Sequence, residues 1–228
     1  MLTIKNVIFD FDGTIVDSWP VLEAAVEKFG EKFTGRRVSQ EEIEAAKGMT
    51  IQDVLAKYQV TPLKIFWYRG EILDFVELQM VTAKIVSGVK QLLNELKKMG
   101  CKLFILTSNR EKTAREFLSR NGIDTEITIY SERNLLGKAW GLRKIVRQNK
   151  LKNKETVYIG DETRDIEASR RAGIKVVAVT WGFNKKEILV KFKPDLVAGK
   201  PEEVRKYVRN GGSLMAAGRE IKIGGRMD

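Results

Sequence analysis

The sequence contains no histidine. That removes Ser-His and Cys-His nucleophilic catalysis and leaves acid–base work to carboxylates or lysine. It also disfavours zinc, whose sites draw on His and Cys; any metal is then a hard ion with oxygen ligands, magnesium first. The single cysteine, Cys101, allows no internal disulfide, and its place at a strand start marks it as structural rather than nucleophilic. No apolar run approaches the roughly 18 residues of a membrane span. Met1 to Lys5 lead directly into a strand-like stretch, without the charged-then-apolar pattern of a signal peptide, so a cytoplasmic protein is expected. Internal repeats are absent as well.

The chain has 228 residues, of which 43% are apolar. That is enough for one large domain, or one domain with an insertion, around a sizeable core. The net charge of +11 suits an anionic substrate or nucleic acid. The charge is uneven: residues 17–86 carry 9 Lys+Arg against 11 Asp+Glu, which leaves +13 for the rest. The basic stretch from Arg133 to Lys154 reads mainly as a solvated helix face, with Lys138 set apart below.

Strand and helix patterns alternate, which predicts a parallel α/β sheet. Strands are expected at Ile4–Phe9, Lys102–Leu106, Glu126–Tyr130, Thr156–Ile159 and Lys175–Val179, with a short edge strand at Asp195–Val197. Several are continuous apolar runs, as in strands covered on both faces. Between them, Val89, Leu92, Leu93, Leu96 and Met99 form one helical stripe stopped by Gly100. Ala114, Phe117 and Leu118 line up in the next helix, which Asn121-Gly122 ends. Leu142, Ile145 and Val146 mark a third, and a fourth ends at Ala172-Gly173.

Residues 17–86 break the alternation and read as helices only. Val21, Leu22, Ala25, Val26 and Phe29 make one stripe. Ser39-Gln40-Glu41-Glu42 reads as a capping box, and Thr50-Ile51-Gln52-Asp53 as another helix start. Pro62 opens a long helix through Phe66, Trp67, Leu73 and Val76. About 70 residues of helix far exceed a normal βα connection. An inserted helical cap over residues 17–86 is therefore expected, with an α/β core at 1–16 and 87–210. The glycine-rich residues 211–228 form a tail, in which Ile221 and Ile223 are candidates for a short strand.

In open parallel sheets, ligands bind outside the carboxyl ends of the strands. The first strand ends in Phe9-Asp10-Phe11-Asp12-Gly13-Thr14. Side chains two apart on an extended strand share a face, so Asp10 and Asp12 could both enter one site if the chain stays extended. A strand end followed by a turn accounts equally well for this hexapeptide taken alone. The second strand ends in Thr107-Ser108-Asn109, and the fourth in Gly160-Asp161-Glu162-Thr163-Arg164-Asp165. Each could simply cap a helix. Their convergence on one sheet edge is the stronger observation.

These motifs resemble the haloacid dehalogenase superfamily of phosphohydrolases. The resemblance covers residues 7–182: Asp10-Phe11-Asp12-Gly13-Thr14; Thr107 after Leu103-Phe104-Ile105-Leu106; Lys138 in Gly137-Lys138-Ala139-Trp140-Gly141; and Gly160-Asp161-Glu162-Thr163-Arg164-Asp165-Ile166. The helical insertion resembles the family's α-helical cap, as in phosphoglycolate phosphatases, and Val86-Ser87-Gly88-Val89 resembles the return to a Rossmann-like core. The resemblance implies Asp10 as nucleophile and metal ligand, and Asp12 as acid–base group that lends its carbonyl to the metal. It implies Asp161, with Asp165 in support, as further metal residues around magnesium. Thr107, Ser108, Asn109 and Lys138 are the implied phosphoryl-binding residues.

A phosphate monoester is an unreactive dianion whose enzymatic acceleration reaches about 10²¹, so suppressing charge repulsion is the main task. Asp12 favours phosphoryl chemistry, because dehalogenases and phosphonatases lack this second Asp. Sugar-phosphate mutases typically carry a cap-side His where Leu22 stands nearby here, which disfavours a mutase. A pyrophosphatase, or a non-catalytic binding protein of the same fold, would also accommodate these motifs. The expected partner is a small phosphorylated metabolite, such as phosphoglycolate, a sugar phosphate, a nucleotide or pyrophosphate, acted on by a monomer. No membrane partner is expected, and nucleic acid ranks low because no interleaved basic-aromatic groove is evident. Cap candidates for specificity are Arg36, Arg37, Lys47 with Gly48, Arg69 and the hinge-side Trp19. For each charged candidate taken singly, solvated surface charge is the more ordinary account, and Trp19 either lines the entrance or packs the cap.

Overall fold

The computed structural model describes residues 4–123, 126–132 and 137–213, with the backbone at 215–216 and 219–220. In chain order, β1 (Asn6–Asp10) and β2 (Val16–Asp17) precede α1 (Trp19–Thr34), α2 (Gln40–Ala46), α3 (Ile51–Lys57) and α4 (Pro62–Gln79). Then come β3 (Lys84–Ile85), α5 (Val89–Lys98), β4 (Lys102–Thr107), α6 (Glu111–Arg120), β5 (Thr128–Ser131) and α7 (Lys138–Gln148). The chain continues through β6 (Thr156–Gly160), α8 (Thr163–Ala172), β7 (Lys175–Val179), α9 (Lys186–Lys191), β8 (Leu196–Ala198) and α10 (Pro201–Arg209). A last pair, β9 (Met215–Ala216) and β10 (Arg219–Glu220), runs antiparallel. The candidate strand at Ile221 and Ile223 lies outside the described residues.

The main sheet has the order β5-β4-β1-β6-β7-β8, with every pair parallel. β1 is central and buried throughout. Its alternation splits the core in two. Val7 and Phe9 pack with Val89, Leu92, Leu96, Phe117 and Val204, so α5, α6 and α10 cover one face. Ile8 packs with Leu106, Leu142, Ile145, Tyr158 and Ala168, so α7 and α8 cover the other. α9 joins that second layer through Leu189, beside Val176 and Ala178. Each fully buried Leu, Ile or Phe side chain contributes about 1.5–3 kcal/mol. The sheet is thus the Rossmann-like α/β core expected from the sequence.

Sequence and structure differ in instructive places. β1 starts at Asn6 rather than Ile4, although Ile4 is buried. Met99 is 41% exposed and caps α5 instead of extending its stripe. Gly100 at φ +80° turns the chain there, and Cys101 N–H reaches back to Leu96 O at 3.1 Å. Leu22 is 38% exposed, so the stripe of α1 rests on Val21 and Phe29. Cys101 is buried and unpaired, and burial pushes its thiol upward.

Residues 17–86 are not helices only: their two ends form a ribbon. β2 and β3 pair antiparallel, Val16 with Ile85 and Asp17 with Lys84, and Val86 N–H donates to Ile15 O at 2.9 Å. The four helices between them leave and return at one place. Both capping boxes, Ser39 with Glu42 and Thr50 with Asp53, are formed. α1 and α4 pack through Phe29 against Phe75 and Phe33 against Tyr68, edge to face at 5.5 Å. Outside that contact, Phe66 and Trp67 face solvent. Arg110, just beyond β4, ties α4 to the core through Glu77 and through Asp74 at 2.8 Å.

Candidate active site

The sheet's carboxyl edge gathers the predicted residues. Asp10 ends β1, Thr107 ends β4, and Asp161 follows β6 directly. Asp165 sits in the first turn of α8. One carboxylate oxygen from each of Asp10, Asp161 and Asp165 lies within 4.8 Å of the others, and all three side chains are buried. Burial raises Asp10 from the ordinary 3.8 to about 7; Lys138 opposes this and the Asp165 charge adds to it. Burial also lifts Asp161 well above its ordinary value, with the charges of Glu162, Asp10 and Asp165 adding to the rise.

The turn after β1 separates the two aspartates of the opening motif. Phe11 O accepts from both Ile15 and Val16 N–H at 2.9 Å, which bends the chain back. Gly13 adopts φ +69°, and its N–H donates to Val16 O at 2.9 Å and to Ser18 Oγ at 3.0 Å. A Cβ on Gly13 would stand 2.1 Å from Asp161 Oδ2, so only glycine lets this carboxylate approach. Asp12 lies outside the strand and does not share a strand face with Asp10. Its Oδ2 accepts from Asn109 Nδ2 at 2.8 Å. Burial raises the Asp12 pKa, and the Asn109 hydrogen bond partly offsets that.

Lys138 is the first residue of α7 and is buried. Its ammonium donates to Asp10 Oδ2 at 2.6 Å and also to Asp165 Oδ1. Burial alone would lower its pKa, but Asp10 and Asp165 reverse that, so the group stays charged. Gly160 makes room for Asp165: a Cβ there would meet its Oδ2 at 2.4 Å. The second Asp165 oxygen accepts from Glu162 N–H at 3.0 Å. Two nearby cations, Lys138 and Arg164, face Asp10, Glu162 and Asp165, and both also act on Asp12.

Thr107 is buried and its Oγ1 accepts from Asn109 N–H at 3.0 Å. Ser108 lies beside it, half-buried. Among the cap candidates, Arg36 pairs with Glu42 at 2.6 Å on an exposed face. Arg37 is exposed and Arg69 half-buried. Lys47, with Gly48 next to it, and Trp19 are linked to the cluster. The Lys47 carbonyl accepts from Asn184 and Lys185, and its ammonium lies 3.7 Å from the Trp19 ring centre, where Trp19 packs on Phe183. A cleft of about 300 Å³ between α4 and α6, lined by Glu77, Met80, Thr113 and Arg120, lies away from this cluster.

Several site contacts have no counterpart among the residues expected from the sequence. Thr14 Oγ1 donates to Asp161 Oδ1 at 3.0 Å, and Phe183 N–H to Asp161 Oδ2 at 2.7 Å. Trp181 Nε1 donates to Thr14 O at 3.2 Å, and buried Asn184 donates its N–H to Asp161 O at 3.2 Å. The apolar-to-polar change after Val179, Thr180-Trp181-Gly182-Phe183-Asn184, was the available signal: it is another strand end on the same edge.

The donor set fits a divalent hard cation. Asp10, Asp161 and Asp165 supply oxygens only, close together and buried. Burial is the main cause of the upward shifts of Asp10 and Asp161, a penalty on their charged forms that a bound cation would offset.

Residues 7–179 match the family model of haloacid dehalogenase-like hydrolases. The chain is 30% identical over 209 residues to the phosphoglycolate phosphatase of Synechococcus elongatus, covering 90% of this chain and 97% of that protein. It is 24% identical to Pyrophosphatase PpaX of Bacillus mycoides, over 89% of this chain and 96% of the other. A haloacid dehalogenase-like family protein from Streptococcus pneumoniae superposes with TM-score 0.75 at 26% identity, over 91% of this chain and 99% of that one. A predicted phosphatase from Clostridium acetobutylicum shares the fold with TM-score 0.78 at 21% identity, over 90% and 98% of the two chains. With the carboxylate edge, the lysine of α7 and most of the sequence in agreement, the chain belongs to the haloacid dehalogenase-like hydrolase family.

Proposed function

We propose that the protein is a magnesium-dependent phosphatase that hydrolyses a small phosphate monoester through an aspartyl-phosphate. The observation that carries this is the division of labour at the sheet edge. Asp10 faces Lys138 and two further carboxylates, while Asp12 is held apart by Asn109.

An Asp10 carboxylate oxygen attacks phosphorus as the ester P–O bond breaks, and Asp12 gives its proton to the leaving oxygen. Water then attacks the phosphorus, Asp12 takes its proton, and the bond to Asp10 breaks to release phosphate. Lys138 offsets negative charge on Asp10 and on the phosphoryl group. Thr107, Ser108 and backbone N–H groups of that loop orient the phosphoryl oxygens; the Asn109 side chain, bonded to Asp12, orients the acid. Asp10, the Asp12 carbonyl and Asp161 would hold magnesium, with Asp165 in support. Bound there, magnesium supplies charge that draws nucleophile and dianion together and keeps Asp10 ionised.

The ribbon of β2 and β3 supports treating residues 17–86 as a cap on an α/β core of 1–16 and 87–210, with 211–228 as a tail. A cap closing over the edge suits a small substrate better than a polymer. Phosphoglycolate leads among monoesters, given the Synechococcus elongatus relative, and pyrophosphate is the second reading, given the PpaX relative. The test is phosphate release with magnesium from phosphoglycolate, sugar phosphates, nucleotides and pyrophosphate, by wild type and Asp10→Asn. Release by wild type alone supports the proposal. No release from any compound, or equal release by both proteins, overturns it.

A further inference from the structure

Asn184, in the loop after β7, is 2% exposed and joins three parts of the chain. Its Oδ1 accepts from Thr163 N–H at 2.9 Å, an orphan donor at the start of α8. Its Nδ2 donates to Lys47 O at 3.1 Å and to Met49 O at 2.9 Å, in the turn between α2 and α3. Its own N–H donates to Asp161 O at 3.2 Å. The neighbours reinforce the link: Lys185 N–H donates to Lys47 O at 2.9 Å, and Lys185 pairs with Glu44 at 3.0 Å. Phe183 meets Trp19 on one side while its N–H holds Asp161 on the other. One buried amide thus sets the turn at residues 47–49 at a fixed place beside the carboxylate cluster.

We propose that Asn184 is a positioning residue that anchors the turn at residues 47–49 over the site, so that the part of the substrate beyond its phosphoryl group meets a preset surface. A buried amide that only capped α8 would need its acceptor oxygen alone. Here both amide protons go to the other segment. The proposal rests on the hydrolytic reading of Asp10 and Asp161 for its effect on turnover, but the anchor itself is independent of that reading.

The discriminating variant is Asn184→Asp in the full chain. It keeps the acceptor for Thr163 N–H and replaces the donor with a carboxylate facing two carbonyls. Hydrogen exchange would be followed at amides 47–51 and 163–166. The Lys47, Gly48 and Met49 amides are now held by turn bonds of 3.3, 3.1 and 3.0 Å. Losing the anchor should speed exchange at 47–51 about tenfold or more and leave 163–166 unchanged. With p-nitrophenyl phosphate and magnesium, KM should rise about tenfold while kcat stays within about twofold. Asn184→Ala should loosen both segments, and Asp10→Asn should abolish turnover without altering exchange. Unchanged exchange at 47–51 in Asn184→Asp overturns the proposal, as does a fall in kcat at constant KM. If wild type releases phosphate from neither the probe nor any compound of the substrate panel while exchange changes as described, the hydrolytic reading falls and the anchor stands.

Discussion

Asn109 donates its side-chain amide to the Asp12 carboxylate at 2.8 Å, across 97 positions of sequence. The Asn109 side is itself braced, with its N–H on Thr107 Oγ1 at 3.0 Å and its carbonyl accepting from Ser131 Oγ at 2.6 Å. The group proposed to move protons is therefore aimed by the loop that follows β4, the strand beside β1. The bond also favours the ionised carboxylate, against the effect of burial.

Replacing Asn109 by Ala removes that bias, so the Asp12 pKa should rise further. The limb of kcat/KM that needs protonated Asp12 should move to higher pH, with kcat down about 10–100-fold from lost orientation. A pH–rate profile of the variant against wild type measures both. An unmoved limb would exclude Asp12 as the titrating group.

Lys138 holds two buried carboxylates at once, so Lys138→Met should leave Asp10 and Asp165 without their ammonium. Breaking a buried pair in this way costs about 3–5 kcal/mol. Urea unfolding in the presence of a chelator should show that loss, and adding Asp10→Asn to the variant should recover part of it.

Stability without divalent cations should fall as pH rises from about 4 to about 7. Unfolded Asp10 releases its proton near 3.8, while folded Asp10 keeps it to about 7. The folded state binds more protons in that window, which makes the slope of unfolding free energy with pH negative. Asp161 acts in the same direction. Glu42, held down to about 2 chiefly by its hydrogen bond to Arg36, acts in the opposite direction between about 2 and 4.5, so it offsets the fall only at the lower edge of the window. Thermal melts with chelator should show the fall, and saturating magnesium should flatten it.

Gly182→Ala tests the packing around Asp161. A Cβ there would stand 2.3 Å from Asp161 Oδ2 and 2.4 Å from Gly13 O, so the loop must shift. Such overpacking costs about 1–3 kcal/mol. Magnesium titration followed by melting temperature should show weaker binding than in wild type. Unchanged binding would mean that Asp161 does not hold the ion.

Much of this architecture was readable in the chain. Val7-Ile8-Phe9, Phe104-Ile105-Leu106 and Val157-Tyr158-Ile159 are apolar on every residue because each strand is covered twice, and that pattern is local. Capping boxes at Ser39 and Thr50 were legible for the same reason, since a cap needs only residues three apart. The ribbon of β2 and β3 was not legible. Two residues per strand carry no periodicity, and the partners lie on either side of four helices. Met99 and Leu22 misled because helical spacing shows that residues share a face, not where the covering layer stops.

Residue identity and order alone determined the class of chemistry: no histidine, oxygen-donor carboxylates at strand ends, and the order of motifs, Lys138 among them, that resembles a phosphohydrolase family. These are properties of side chains and of the parallel sheet that their spacing builds. The tertiary structure decided which groups share a charge and which share a bond. It placed Lys138 between Asp10 and Asp165, gave Asn109 to Asp12, and brought Thr14, Phe183 and Asn184 around Asp161. Such pairings depend on how adjacent strands end in space and on backbone N–H groups, which every residue but proline carries and no sequence pattern distinguishes.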